Sequence, residues 1–269
     1  MANQVKQALQ SRKAVFGPIV QAFSSPIIVR LLAVAGFDFV YIDMEHGQLS
    51  LRDVANLCLV ARDCGMVPIV RVVGHQPDHI SRPLDAGAQG ILVPHIDTAE
   101  QARAIIRNAK YPPLGQRSLS SLGPHTGFRS EPVADLVASA NADTLIGVMI
   151  ESAEGVAHVN DIAAVPDIDF VVVGRGDLSQ DLGMPGQVDA EIVEEAVSRV
   201  LDSCKGYQVP TGLLCQDIPS ARKWLARGIQ MLNYGSDISL LTAPAAKAVQ
   251  ELRTLAGAQI ATDSSRLGQ

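Results

Sequence analysis

Residues 39–71 read FVYIDMEHGQLSLRDVANLCLVARDCGMVPIVR, and their pattern decides the fold. FVYID, 39–43, is a β-branched and aromatic run of strand length. From Leu51 to Cys64 the apolar residues return at three- and four-residue spacing, which predicts an amphipathic helix over 51–64 with Gly65 just beyond it. VPIVRV, 67–72, is a second apolar run. Strand, helix and strand in this order form a βαβ unit, whose parallel strands require a long crossover. Aliphatic rather than alternating strands suit a parallel sheet covered by helices on both faces.

The same beat recurs along the chain. Strands are expected at 17–22, 39–43, 67–72, 90–94, 144–150, 170–174, 211–215 and 230–234. Helical spacing fills 51–64, 98–109, 192–205 and 218–227, and 238–255 is Ala/Leu-rich and helical, either an ordinary barrel helix or an oligomer contact. Eight beats in 269 residues predict an α/β fold, a single (β/α)8 TIM barrel over 1–256, followed by a polar tail at 257–269. A doubly wound sheet is the alternative, but Phe23-Ser24-Ser25-Pro26 after the first strand is no glycine-rich phosphate turn. The longest irregular stretch, 111–130, holds Pro112, Pro113, Gly115, Gly123, Pro124 and Gly127, and reads equally as a functional loop or a solvated connection.

Composition narrows the function classes. A net charge of −6 without Lys/Arg blocks argues against nucleic acid and anionic membrane as partners. The first residues, MANQVKQALQSRKAVF, hold no apolar stretch of signal-peptide length, and no apolar run approaches the ~18 residues that span a bilayer. Cys58, Cys64, Cys204 and Cys215 form no CxxC pair, which points to reduced core thiols and a cytoplasmic protein.

Reactive groups in such barrels sit where strands end. The ionisable residues collect there: Asp43, Glu45 and His46 after the second strand, Arg71 on the third, Glu151 on the fifth, and Arg175-Gly176-Asp177 on the sixth. Glu151 and Asp177 suit a hard divalent cation, Mg²⁺ or Mn²⁺, although either alone reads as a helix-start acid. His46 is a candidate general acid/base, or an ordinary loop histidine. Arg71 closes an apolar strand and calls for an anion, either a substrate carboxylate or a rim acid. Glu45 reads as solvated or as a supporting group. His95 is expected to line the pocket, His125 is a lid candidate, and His158 is expected on a helix surface. His75 and His79 make a poor helical metal pair, with Pro77 between them. Lys110, Lys205 and Lys223 fall on helices or loops, which disfavours a Schiff base.

Four stretches together carry a family resemblance: AGFDFVYIDMEHG (35–47), PIVRVVGHQPDHISRPLDAGAQGILVPHIDTAEQA (68–102), YPPLGQRS (111–118), and VMIES with VVVGRGDLSQDLG ending at Gly183. The chain resembles the HpcH/HpaI family of metal-dependent pyruvate aldolases over nearly its whole length. The resemblance implies a divalent metal (Mg²⁺ or Mn²⁺, with Co²⁺ admitted) held by Glu151 and Asp177. It implies His46 as the catalytic histidine and Arg71 as the arginine on the substrate carbonyl. It further implies that Asp85 partners the histidine across a subunit boundary and that Asp43 lies behind the metal waters. Gly176 lets a substrate carboxylate approach the backbone, and Leu214 shapes the pocket. The implied substrates are pyruvate or another 2-oxo acid with an aldehyde, and the implied assembly is a homo-oligomer, a hexamer built as a trimer of dimers. Two positions depart from the pattern: Met149 where many members carry Gln, and Gly174-Arg175-Gly176 where Gly-Pro-Ala is usual. An acyl-CoA lyase, for which Arg117 and Arg129 leave a phosphate contact open, an oxaloacetate decarboxylase, a non-catalytic oxo-acid-binding barrel and an interaction module are the competing functions.

Overall fold

In the computed structural model, which describes residues 3–255, eight parallel strands close into one barrel in chain order. The strands are β1 (Val15–Val20), β2 (Phe39–Asp43), β3 (Val67–Arg71), β4 (Gly90–Val93), β5 (Leu145–Ile150), β6 (Phe170–Val173), β7 (Thr211–Cys215) and β8 (Met231–Ser236). The helices are α1 (Gln4–Gln10), α2 (Ile27–Val34), α3 (Leu51–Asp63), α4 (Pro77–Asp85), α5 (Ala99–Ala109), α6 (Val133–Asp143), α7 (Ala153–Ala157), α8 (Val159–Ala163), α9 (Arg175–Asp181), α10 (Glu191–Gly206), α11 (Ile218–Ala226) and α12 (Asp237–Leu255). Every expected strand is present. The first starts earlier than read, at Val15, because the Val15 N–H donates to the Gln230 carbonyl and opens the ladder that joins β1 to β8. The expected tail at 257–269 lies outside the described residues. No helix among the described residues is long and apolar enough to cross a membrane.

Two apolar layers result. Val40, Ile42, Val70, Ile91, Ile146, Val148 and Val171 point outward and pack under the helices. Phe39, Tyr41, Val67, Ile69, Leu92, Leu145, Met149, Phe170, Val172 and Met231 fill the bore. Gly147 makes room for one of these: a Cβ there would stand 2.1 Å from Phe170 Cζ. The end of the bore where strands begin is floored by α1, whose Val5 and Leu9 join the inner layer. Asn3 ties that floor down by donating to the Gln89 and Asp143 carbonyls, and Lys6 pairs with Asp169 at 2.9 Å. A cavity of about 750 Å³ beside this floor is lined by Lys6, Leu9, Leu145, Asp169 and Gln230, whereas the rim acids collect at the other end, where strands end. Continuing the two-residue period from Tyr41, Ile69 and Met149 brings Asp43, Arg71 and Glu151 inward at that mouth.

The last helix is unlike its neighbours. Only Asp237 of α12 is buried, and Ile238, Leu241, Val249 and Leu252 are exposed. On the outer wall near β8, a groove of about 440 Å³ lined by Phe16, Phe37, Ile218, Leu225, Leu232 and Tyr234 stays open.

Candidate active site

Asp43 is the anchor of the mouth. Its carboxylate is fully buried, and Oδ1 accepts from the Glu45 and His46 backbone N–H groups at 3.0 and 3.3 Å. Arg71, its register partner on β3, donates to it in a fork, Nε to Oδ1 at 2.9 Å and Nη2 to Oδ2 at 2.5 Å. Burial disfavours the guanidinium charge, but the Asp43 hydrogen bond and the charges of Asp43, Glu45 and Glu151 outweigh it and raise its pKa. Of the two anions the sequence offered for Arg71, the rim acid is the one met in this structure. Arg71 Nη1 lies 3.2 Å from Glu45 Oε2.

Glu45 is not solvated, in contrast to one of its sequence readings. Its side chain is 11% exposed, Oε1 lies 3.0 Å from His95 Nε2, and Oε2 is buried with no aligned hydrogen bond. The signal was available: residue 45 continues the inward series 39, 41, 43 past the strand end.

Glu151 sits opposite, 4% exposed. Its Oε1 accepts from the His95 backbone N–H at 2.8 Å and lies 3.1 Å from His95 Nδ1. The left-handed backbone of His95, φ 55°, turns both groups onto the carboxylate. Gly174 is required beside it, since a Cβ there would stand 2.4 Å from Glu151 Oε2. Burial pushes the Glu151 pKa up from 4.5 to about 7; the His95 N–H and ring charge pull it down, and Glu45 and Asp177 push it further up. Asp177, exposed in the first turn of α9, is thus close enough for its charge to act on Glu151.

The remaining expected residues separate into two groups. His46 is exposed at the mouth, and its ring comes within 3.8 Å of Glu45 Oε2. Gly176 faces open space and Leu214 stands partly exposed on β7. Arg175 does not add a free charge to the rim, because it is tied to Asp189 at 3.1 Å and to the Leu214 carbonyl at 2.8 Å. Asp85 lies at the C-terminal end of α4, and since α4 leads into β4, that is the opposite end of the barrel. There it pairs with Arg117 at 2.5 Å, and Arg117 also lies 4.7 Å from the Tyr111 ring centre. One protomer therefore does not bring Asp85 to His46.

Other candidates are structural. His75 bonds the Pro94 carbonyl at 2.7 Å and precedes α4, so no helical pair with His79 forms. His125 Nε2 meets the Ser120 carbonyl at 2.9 Å, away from the mouth and beside the end of α4. His158 caps α7 from the surface, as expected. Cys58, Cys204 and Cys215 are buried free thiols with raised pKa values, that of Cys204 to about 12, all by burial. Lys110, Lys205 and Lys223 stand at or in α5, α10 and α11, as the sequence implied.

Can the mouth hold a divalent cation? Glu151 and Asp177 are hard oxygen donors, and a buried carboxylate with a raised pKa is stabilised in its charged form by a cation. Among the described residues no three His, Cys, Asp or Glu side chains converge as a ligand set, so water and substrate oxygens would complete the shell. The residues fit a cation of the Mg²⁺ type, which ordinarily keeps several waters.

Known proteins share this architecture. A hydroxypyruvate/pyruvate aldolase of Delftia acidovorans is 31% identical over 98% of both chains. A 4-hydroxy-4-methyl-2-oxoglutarate aldolase of Chaetomium globosum is 38% identical over 72% of this chain and 73% of its own. The crystal structure of an HpcH/HpaI aldolase from Desulfitobacterium hafniense superposes with a TM-score of 0.89 at 32% identity, covering 94% of this chain and 97% of that one. The family model for HpcH/HpaI aldolase/citrate lyase matches residues 21–244, from the loop after β1 into α12, and so takes in every rim residue described above. The chain belongs to that family of carbon–carbon lyases.

Proposed function

We propose that this protein is a divalent-metal-dependent aldolase that cleaves and forms 4-hydroxy-2-oxo acids, with pyruvate or a close 2-oxo acid on one side and an aldehyde on the other. One observation carries the reading: a buried Glu151 carboxylate at the barrel mouth, within reach of the charges of Asp177 and Arg71, in a chain similar over 98% of its length to a hydroxypyruvate/pyruvate aldolase. Glu151 and Asp177 would hold the cation, which when bound supplies a Lewis acid for the negative charge that grows on the keto oxygen.

The chain's own residues do the rest. Arg71 is held in place by Asp43 and offers positive charge to the same oxygen, worth roughly a few kcal/mol by analogy with oxyanion donors. The open space at Gly176 admits the substrate carboxylate to the first turn of α9, and Leu214 forms the wall beside it. In cleavage His46 takes the proton from the 4-hydroxyl, the C3–C4 bond breaks, the aldehyde leaves and C3 keeps the electron pair until it is protonated. Asp85 of the partner subunit orients His46. This agrees with its place at the far end of its own barrel.

That arrangement needs an assembly. The exposed apolar residues of α12 and the open groove near β8 support a homo-oligomer in which α12 of one copy covers the groove of another. The hexamer remains the expected state. An acyl-CoA lyase is less well supported, because Arg117 is buried and committed to Asp85.

The test is exchange of pyruvate methyl protons in heavy water with and without Mg²⁺ or Mn²⁺, followed by a panel of aldehydes. Metal-dependent exchange and aldol product support the proposal. Ligand-induced stabilisation without exchange would replace it with a binding barrel.

A further inference from the structure

We propose that Asp237, the first residue of α12, is a positioning residue for His46. The proposal deepens the reading of His46 as the proton-transfer group and rests on it. Among the described residues the His46 ring makes no hydrogen bond and its one charged contact is Glu45 Oε2 at 3.8 Å, so the backbone on either side does most to fix its place. On the N-terminal side the Asp43 carboxylate holds the N–H groups of Glu45 and His46. On the C-terminal side the Gln48 N–H donates to the Gln21 carbonyl at 3.1 Å. Gly47 presses into the same corner, where a Cβ would stand 3.0 Å from the Gln21 oxygen and 2.1 Å from the Asp43 oxygen.

Gln21 is in turn fixed by Asp237. Asp237 Oδ2 accepts from three consecutive N–H groups, those of Gln21, Ala22 and Phe23, at 3.2, 3.0 and 2.9 Å. Its Oδ1 accepts from Ile238 N–H at 2.9 Å. The side chain is buried and, among the described residues, makes no ion pair. A buried carboxylate satisfied by backbone alone holds a loop with charge-assisted hydrogen bonds. The peptide of Gln21 therefore joins two elements: its N–H belongs to the root of α12 and its C=O to the loop that carries His46. Among the described residues Asp237 makes no hydrogen bond or ion pair to Glu151 or Asp177, so the expected effect falls on the histidine side of the mouth.

The experiment compares wild type with Asp237→Asn and Asp237→Ala. Asn keeps the volume and one acceptor, so it remains informative if the alanine variant does not fold. Backbone amide exchange is read at residues 21–23 and at Gln48, the His46 ring proton by NMR, and aldol cleavage as kcat and KM. The expected result in Asp237→Asn is at least about tenfold faster exchange at all four amides, a displaced His46 signal, and a fall in kcat of about the same size with KM and Mn²⁺ affinity retained. Unchanged protection at Gln48, or an unmoved His46 signal while 21–23 opens, overturns the proposal. The exchange and His46 readings need no substrate. Inactive wild-type protein would therefore refute the proposed function and leave the positioning claim to these two readings.

Discussion

Removing the charge of Glu151 should stabilise the protein in the absence of metal. Its carboxyl pKa stands near 7 in the fold against 4.5 for an ordinary glutamate, chiefly through burial. Between those values the folded state binds more protons than the unfolded one. Stability therefore falls as pH rises from about 4.5 to about 7, and the penalty is fully present above that window. At about 1.4 kcal/mol per pH unit, the difference amounts to ~3 kcal/mol for wild type at pH 8. Glu151→Gln keeps the shape and the hydrogen bond from His95, and never ionises. Urea unfolding at pH 5, 6, 7 and 8 in chelator, at one protomer concentration, should show wild type weakening across the window and the variant staying level. Adding Mn²⁺ at pH 8 should stabilise wild type and leave the variant nearly unmoved. Parallel pH profiles for the two proteins would refute the reasoning, since the burial cost would then not reside on Glu151.

Other substitutions test the remaining parts of the site. Arg71→Lys replaces a fork with a point charge and should cut turnover at least about tenfold with the fold retained, so a near-wild-type rate in steady-state assays would leave Arg71 purely structural. Arg71→Met should cost about 3–5 kcal/mol in urea unfolding by stranding buried Asp43, and Asp43→Asn in the same chain should restore part of it. Asp177→Ala should abolish Mn²⁺ binding by calorimetry. Gly147→Ala should destabilise by at least about 1–3 kcal/mol in thermal melts, because Phe170 is fully buried and cannot yield to the new methyl.

Strand order, barrel closure and the gathering of Asp43, Arg71 and Glu151 at one mouth were legible in the sequence. All three rest on local signals, the period of apolar residues and the place where each run ends. Each of these residues ends or follows an apolar run, and in such a barrel the ends of all strands share one rim. Glu45 was less legible, since it lies past the strand and solvation was the simpler reading. Its burial follows from His95, whose left-handed backbone folds the ring between two acids.

What the sequence determined by itself was the barrel and the chemical type of its rim, because period and strand length are properties of short segments. The tertiary structure decided which charges meet. It paired Arg71 with Asp43, tied Arg175 to Asp189 and Leu214, and by burial raised the Glu151 pKa to about 7. It also placed Asp85 at the far end of the barrel and drew Asp237 onto a loop more than two hundred residues away in the chain. Hydrogen bonds and desolvation depend on distance in space, and distances between remote segments exist only once the barrel has closed.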